Sequence, residues 1–534
     1  MACHPTPPVG PAPPLPRAAY AHYLDGKVAG YRGDSAGAAA ALAAAAAAAP
    51  DEPMIAVELA RAQIRAKQVA AATDTLARAR QKWPDRAEVW LLSAELLAGT
   101  DAPAAMRAYE RAIRLAPDDD HAYLGLAKLQ AAAAAERTLR ALVAHAPASV
   151  EGHYRLAVRL AERRDLPGAI AELRVTLERD PDHIDARLDL ARALRRQGQL
   201  ADAIAQTRSA FDRSGQAIDI AEELFWLLAE ADDMQAALDL LTLLDDDRSD
   251  VESLAVVARL DRGLGRLDAA RAVAARIAVR DPDAGAIARA QAAIADGDTD
   301  GGLRELATIG ADRPRAVEAA HVAADAKLAI GDAAGALELA APVRAAHPED
   351  LGAAMIVAFA FADLHQLPEA RAALASFQGA AAQFGRARLA DRAGDHAGAI
   401  AMCDELIRTE PDDAAALNFA GYLLVDARQR LPDAERYLRH ARELAPGDPE
   451  VLDSWGWYLV ARGDAAGGVR ALEHASRYAP REPEILVHLA IGEAAVGTRE
   501  ARARAARALD AAAKLHPTPA VAAKLAAARA ALPK

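Results

Sequence analysis

The stretch AAAQFGRARLADRAGDHAGAIAMCDELIRTEP, residues 380–411, carries the pattern that decides the fold. Counted so that Pro411 is position 32, it has a small residue at position 8 (Ala387), glycine at 15 (Gly394) and alanine at 20 (Ala399). Glycine at 15 marks the point where one helix stops and another begins, because it accepts the backbone that ends a helix. The proline opens the next turn, since it cannot extend a helix. The unit therefore reads as two antiparallel helices whose backbones approach closely where the side chains are small.

The same spacing recurs along most of the chain. Pro50, Pro84, Pro117, Pro147 and Pro181 are separated by 34, 33, 30 and 34 residues, and Pro282, Pro314, Pro348, Pro446, Pro480 and Pro517 continue the count. Position 8 is again small at Gly26, Ala60, Ala157, Gly421, Gly456 and Ala490. Position 15 is again glycine at Gly33, Gly198, Gly265, Gly297, Gly331, Gly463 and Gly497. Self-similarity at this period means units that bury their apolar faces only against their neighbours. The pattern resembles the tetratricopeptide repeat (TPR) family over residues 18–517, about fifteen units. The fourth unit is short, the seventh lacks its proline and the thirteenth carries an insertion. The expected fold is all-α, a TPR superhelical solenoid of about fifteen antiparallel helix pairs. A proline-rich leader or tether at 1–17 precedes it, and a capping helix at 518–534 follows.

Composition agrees. The chain is 53% hydrophobic but only 4% aromatic, so alanine, the best helix former, supplies much of the apolar surface. A length of 534 residues would suggest several globular domains, but no long linker interrupts the period. A net charge of −13 argues against whole-molecule attraction to nucleic acid or anionic lipid, while leaving room for a local basic groove. Two cysteines, Cys3 and Cys403, cannot build a disulfide framework, and Cys403 falls at position 24, a core slot. The longest uniform apolar run, Ala38–Ala49, is 12 residues, too short to span a bilayer. Ala2-Cys3 followed by a proline-rich segment matches the mature end of a bacterial lipoprotein, which makes Cys3 a lipidation candidate. Localisation is thus open between the cytoplasm and a periplasmic or outer-membrane lipoprotein.

Enzyme motifs are missing. There is no H-E-x-x-H, no phosphate-binding G-x-x-x-x-G-K-[ST], no G-x-S-x-G and no C-x-x-C, and the 14 histidines are scattered without metal-ligand spacing. The expectation is a non-catalytic chain with no cofactor, no metal and no small-molecule substrate. One stretch, Asp296-Gly-Asp298-Thr-Asp300-Gly301, has the opening of a calcium loop. Ala307 stands where such a loop needs its bidentate glutamate, Glu305 is off register, and the segment coincides with a helix-to-helix turn, so a structural turn is the reading.

What remains is recognition. In the TPR family, positions 2, 5, 9, 12 and 13 of the first helix line the groove that holds partner segments. Carried onto this chain, position 9 holds Lys27, Arg61, Lys128, Arg192 and Arg259, with Arg65, Arg195, Arg196 and Arg262 at 12 and 13. The resemblance implies a basic stripe suited to an acidic or phosphorylated segment, or to a free carboxylate. The alternative is a solvated charged helix face. The C-terminal units place Asn418 and Asp453 at position 5, and Tyr422 and Trp457 at position 9. That is an aromatic anchor beside hydrogen-bonding groups, the composition of a peptide-binding hot spot, while Trp455 at position 7 belongs to the core. These four residues equally fit tighter helix packing alone. Residues 416–475 are similar to the ends of many bacterial TPR proteins, including envelope-associated ones. The expected function is a scaffold binding protein or peptide partners, with an envelope assembly or regulatory role as its narrower form. The alternatives are an oligomerising structural solenoid, or a nucleic-acid-binding solenoid using the basic stripe.

Overall fold

The computed structural model describes residues 15–246, 249–515 and 517–532, and among them it has thirty-one helices and no strand. The first thirty form fifteen consecutive hairpins, from Arg17–Tyr31 with Ser35–Ala48 to Pro483–Val496 with Arg499–Ala513. The helix Pro519–Ala531 follows them alone. First helices of successive hairpins also touch in many places, as Ala414–Asp426 touches Pro449–Ala461 and that helix touches Pro483–Val496. The all-α array of about fifteen helix pairs is therefore borne out.

The turn chemistry explains the helix ends. All eight glycines at position 15 have left-handed backbone, with φ between 69° at Gly265 and 97° at Gly463. Hairpins without that glycine put Lys67, Arg164, Asp232, His365 and Arg428 into the same conformation. Second helices commonly open on an aspartate cap; Asp298 accepts from the amide of Gly301 at 2.8 Å. Asp296 is held by Arg271 at 2.5 Å and Arg481 at 3.4 Å. The carboxylates resembling a calcium loop are thus a cap and an ion pair. At position 8 the helices close up: a Cβ on Gly456 would lie 2.6 Å from Cγ of Leu472, and one on Gly421 would lie 2.5 Å from Cγ of Leu438. The insertion in hairpin 13 gives a left-handed Arg430, φ 46°, just ahead of Leu431–Leu444.

The helices gather into two compact units, one up to Gln206 and one from Thr207. In the first, the core is a series of local clusters such as Leu91, Tyr109 and Leu126, or Ala157, Leu173 and Leu194. The second has similar clusters, with Cys403 fully buried among Leu417, Leu424 and Leu438. Burial pushes the Cys403 thiol up to about 12. This unit also folds back on itself. His474 Nε2 donates to the carbonyl of Ala229 at 2.7 Å, Arg477 forks onto Asp232 at 2.8 and 2.9 Å, and Arg481 donates to the carbonyl of Ala295 at 2.9 Å. These side chains meet the C-terminal ends of Ile218–Glu230 and Pro282–Ala295, where exposed carbonyls attract donors and positive charge. No helix among the described residues is long and apolar enough to cross a membrane. Cys3 lies outside the described residues.

Candidate functional site

Asn418 and Tyr422 lie one turn apart on Ala414–Asp426, and Asp453 and Trp457 lie one turn apart on Pro449–Ala461. Spacing of four residues puts each pair on one helix face. The two pairs are joined through the next first helix, Pro483–Val496. The Tyr422 hydroxyl donates to Glu484 Oε1 at 2.7 Å. The Trp457 ring stacks on the His488 imidazole, centroids 4.5 Å apart and 12° from parallel. His488 Nδ1 lies 2.9 and 3.0 Å from the two Asp453 oxygens. His488 is fully buried, and Asp453 is 6% exposed. Trp455 packs beside the hairpin 13–14 core, beneath the Arg442 guanidinium at 4.8 Å.

Glu484 and His488 were not among the residues read from the sequence, although Glu484 falls at position 2, a groove slot, of hairpin 15. A third unforeseen participant comes from the terminal helix. Lys524 Nζ lies 3.0 Å from Glu484 Oε1, 3.4 Å from Asp426 Oδ1 and 5.0 Å from the centre of the Tyr422 ring, and it also contacts the Tyr422 hydroxyl.

Three buried polar atoms of this cluster have no hydrogen-bond partner: Asn418 Oδ1, Trp457 Nε1 and His488 Nε2. Burial combined with the carboxylates of Glu484 and Asp426 raises the Tyr422 phenol far above its ordinary value. Burial alone would raise Glu484, but the charges of His488 and Lys524 and donation from Tyr422 and Lys524 hold it below the usual carboxylate range. Glu450 and Glu482 keep water-facing surface. The surrounding protein, and then neighbouring carboxylates, still push both upward. The local field is acidic.

The basic stripe has counter-ions built in. Lys27 bonds Glu58 at 2.9 Å, which raises the lysine, and Arg61 shares that glutamate at 3.8 Å. Arg192 pairs with Asp189 at 3.1 Å, Arg259 pairs with Glu222 at 2.6 Å, and Arg262 donates to Gln291 at 2.8 Å. Arg65 and Arg195 sit in the last turns of Pro53–Arg65 and Ile184–Arg196, Arg65 exposed and Arg195 half-buried. Lys128 and Arg196 are exposed. Among the described residues, the acidic and histidine groups close enough to share an ion are Asp119, Asp120 and His121. Asp119 is already engaged there, capping Asp120–Leu129 through the amide of His121.

Two family models described as tetratricopeptide repeat match the chain, one at residues 31–96 and 160–222, the other at 130–184 and 384–449. The TPR repeat-containing protein PA4667 of Pseudomonas aeruginosa is 38% identical over 81 residues, which is 15% of this chain. The chain spans 14% of the length of that relative. Among solved structures, Naa15/Naa10 bound to HypK-THB is 13% identical, with 96% of this chain and 100% of that one covered and a TM-score of 0.32. The type IV pilus biogenesis factor PilW is 21% identical, with 36% and 91% covered and a TM-score of 0.30.

Proposed function

We propose that the chain is a tetratricopeptide-repeat protein of the interaction-scaffold kind and that its working surface is the face shared by Ala414–Asp426, Pro449–Ala461 and Pro483–Val496. The observation that carries this reading is the set of unpaired buried atoms, Asn418 Oδ1, Trp457 Nε1 and His488 Nε2. Leaving such a group without a partner costs about 1–3 kcal/mol, so a fold that served packing alone would gain by replacing them with apolar side chains. An extended peptide carries both groups the site lacks: an amide N–H for Asn418 and a carbonyl for Trp457. The aromatic rings of Tyr422 and Trp457 supply the anchoring area. No bond is made or broken in this role; the work is positioning.

The first unit is the weaker candidate for an acidic partner, because Glu58 already pairs with Lys27 and Arg61 there, and Asp189 with Arg192. An assembly or regulatory role at the cell envelope is the narrower form of the proposal. It rests on the resemblance of residues 416–475 to the ends of bacterial repeat proteins of that location.

The test combines Trp457→Ala with Asn418→Ala in the full chain. Helical circular dichroism should stay intact while the partner recovered by the unaltered protein is lost; undiminished recovery would refute the assignment. A self-associating solenoid is the second reading. It is favoured by Tyr20, Leu24, Val28 and Tyr31, an apolar stripe left 43–89% exposed along Arg17–Tyr31. Light scattering on the intact chain separates the two, since a dilute monomer leaves only the scaffold.

A further inference from the structure

Resting on that assignment of the face as a partner site, we infer that it takes a lysine-bearing segment of a protein partner, and that Lys524 of the terminal helix occupies the lysine position until such a segment displaces it. The cage is already built around an ammonium group. Carboxylate oxygens of Glu484 and Asp426 stand 3.0 and 3.4 Å from Lys524 Nζ, the Tyr422 ring faces it at 5.0 Å, and the Tyr422 hydroxyl contacts it. An ammonium has three donors and no acceptor, and it is a compact charge that suits oxygens converging from several directions and the face of an aromatic ring. A guanidinium, flat and forked, matches a single carboxylate better than this arrangement.

Two further observations point to a ligand. His488 is fully buried, and its Nε2, without a hydrogen-bond partner, lies 3.9 Å from Glu484 Oε1, so it faces the same carboxylate. The charges gathered here are unbalanced as well. Asp426 and Glu484 contact Lys524, and Glu450, Asp453 and Glu482 add negative charge around Glu484, with Arg388 acting on Glu450 from hairpin 12. An acidic segment would meet repulsion, and a basic one is drawn in.

The terminal helix is lightly held. Its buried residues are Val521 and Leu525, and its remaining ties include the exposed pair Arg529–Asp510 at 2.6 Å. Elements with few buried apolar contacts open at low free energy. Lys524 is thus an internal stand-in whose release exposes the cage.

The experiment uses the full-length chain and a fluorescein-labelled peptide with the sequence of residues 519–531, alongside the same peptide with its lysine replaced by norleucine. Fluorescence anisotropy is read for the unaltered protein, Lys524→Met and Lys524→Met/Glu484→Gln, with circular dichroism on each. Lys524→Met should bind the lysine peptide at least tenfold tighter than the unaltered protein. The norleucine peptide should bind no variant comparably, and adding Glu484→Gln should cancel the gain. Lys524→Met/Tyr422→Phe, which keeps the ring and removes the hydroxyl, should retain part of it. Equal binding of the two peptides, or no gain in Lys524→Met, overturns the inference. If the peptides fail while Trp457→Ala/Asn418→Ala still abolishes partner recovery, the scaffold assignment stands and the lysine cage alone falls.

Discussion

Gly447→Ala should spring open the fold-back of the second unit. Gly447 is buried, and its φ is not among the left-handed ones, so alanine carries no local backbone strain there. Its new Cβ, however, would stand 2.4 Å from the carbonyl oxygen of Trp226, 3.1 Å from that carbon and 3.3 Å from the Cα. All three atoms are backbone and cannot swing aside. Relaxed C···O contacts begin near ~3.3 Å, so the wedge must separate the two surfaces by about 0.9 Å. Carried to neighbouring contacts, that displacement takes His474–Ala229 at 2.7 Å and Arg481–Ala295 at 2.9 Å beyond hydrogen-bonding reach. Each of those bonds contributes about 1 kcal/mol. The Arg477–Asp232 fork, with both side chains nearly half exposed, adds no more than about 0.5 kcal/mol. The closure therefore loses about 2–3 kcal/mol, or ~1.5–2 orders of magnitude in local opening. Hydrogen exchange read by mass spectrometry should show that acceleration at residues 226–232 and 474–481. Gly99→Ala, at a glycine with open space around it, serves as the control. Protection unchanged in Gly447→Ala would refute the reasoning, because a real contact cannot accommodate that carbon.

Lys67 adopts φ 57° in a turn where most hairpins use glycine. Relief of about 1–2 kcal/mol of left-handed strain, less about 0.5–1 kcal/mol for glycine's greater unfolded freedom, gives Lys67→Gly a net gain of about 0.5–1 kcal/mol. The urea midpoint should rise, whereas Gly394→Ala, at φ 82°, should lower it; a fall for Lys67→Gly would contradict the strain argument. Cys403, its thiol pushed up from an ordinary 9.0 to about 12, should resist thiol reagents at about pH 8 until the chain is denatured. The folded state keeps a proton that the unfolded chain releases above 9.0, so this contribution is whole below that pH and is lost as pH rises toward about 12. Labelling of Cys403 at the rate of a free thiol in the native Cys3→Ala protein would rule this out.

The architecture was legible because the backbone itself dictates the residues that punctuate it. A helix must stop at position 15, glycine does this without strain, and every glycine read there has the left-handed backbone. Position 8 was legible for a similar reason, since Leu438 and Leu472 leave no room for a Cβ at Gly421 and Gly456. The fold-back was not legible. Asp232 and Arg477 are 245 residues apart, and their meeting depends on the small rotation each hairpin adds to the last. No pair of residue types encodes that sum. Lys524 was hidden likewise: a terminal helix announces itself by periodicity, but not by which earlier helix its lysine reaches.

The candidate sites failed to read fully from sequence for one shared reason, which lies in the register between neighbouring hairpins. Position 9 was read by itself, as a lysine, an arginine or a tryptophan displayed on a groove. In the structure, position 9 of one hairpin meets position 6 of the next: Lys27 bonds Glu58, and Trp457 stacks on His488. Position 6 also supplies Asp189, which neutralises Arg192 within its own helix, and Lys524, which enters the cage. The surface offered to a partner is accordingly a property of two helices at once. A basic residue at position 9 above an acid at 6 is spent internally, as at Lys27. An aromatic at position 9 above a buried histidine leaves Trp457 Nε1 and His488 Nε2 with hydrogen bonds still to make. That difference, rather than the count of basic or aromatic side chains, is why the proposed working surface lies in hairpins 13–15.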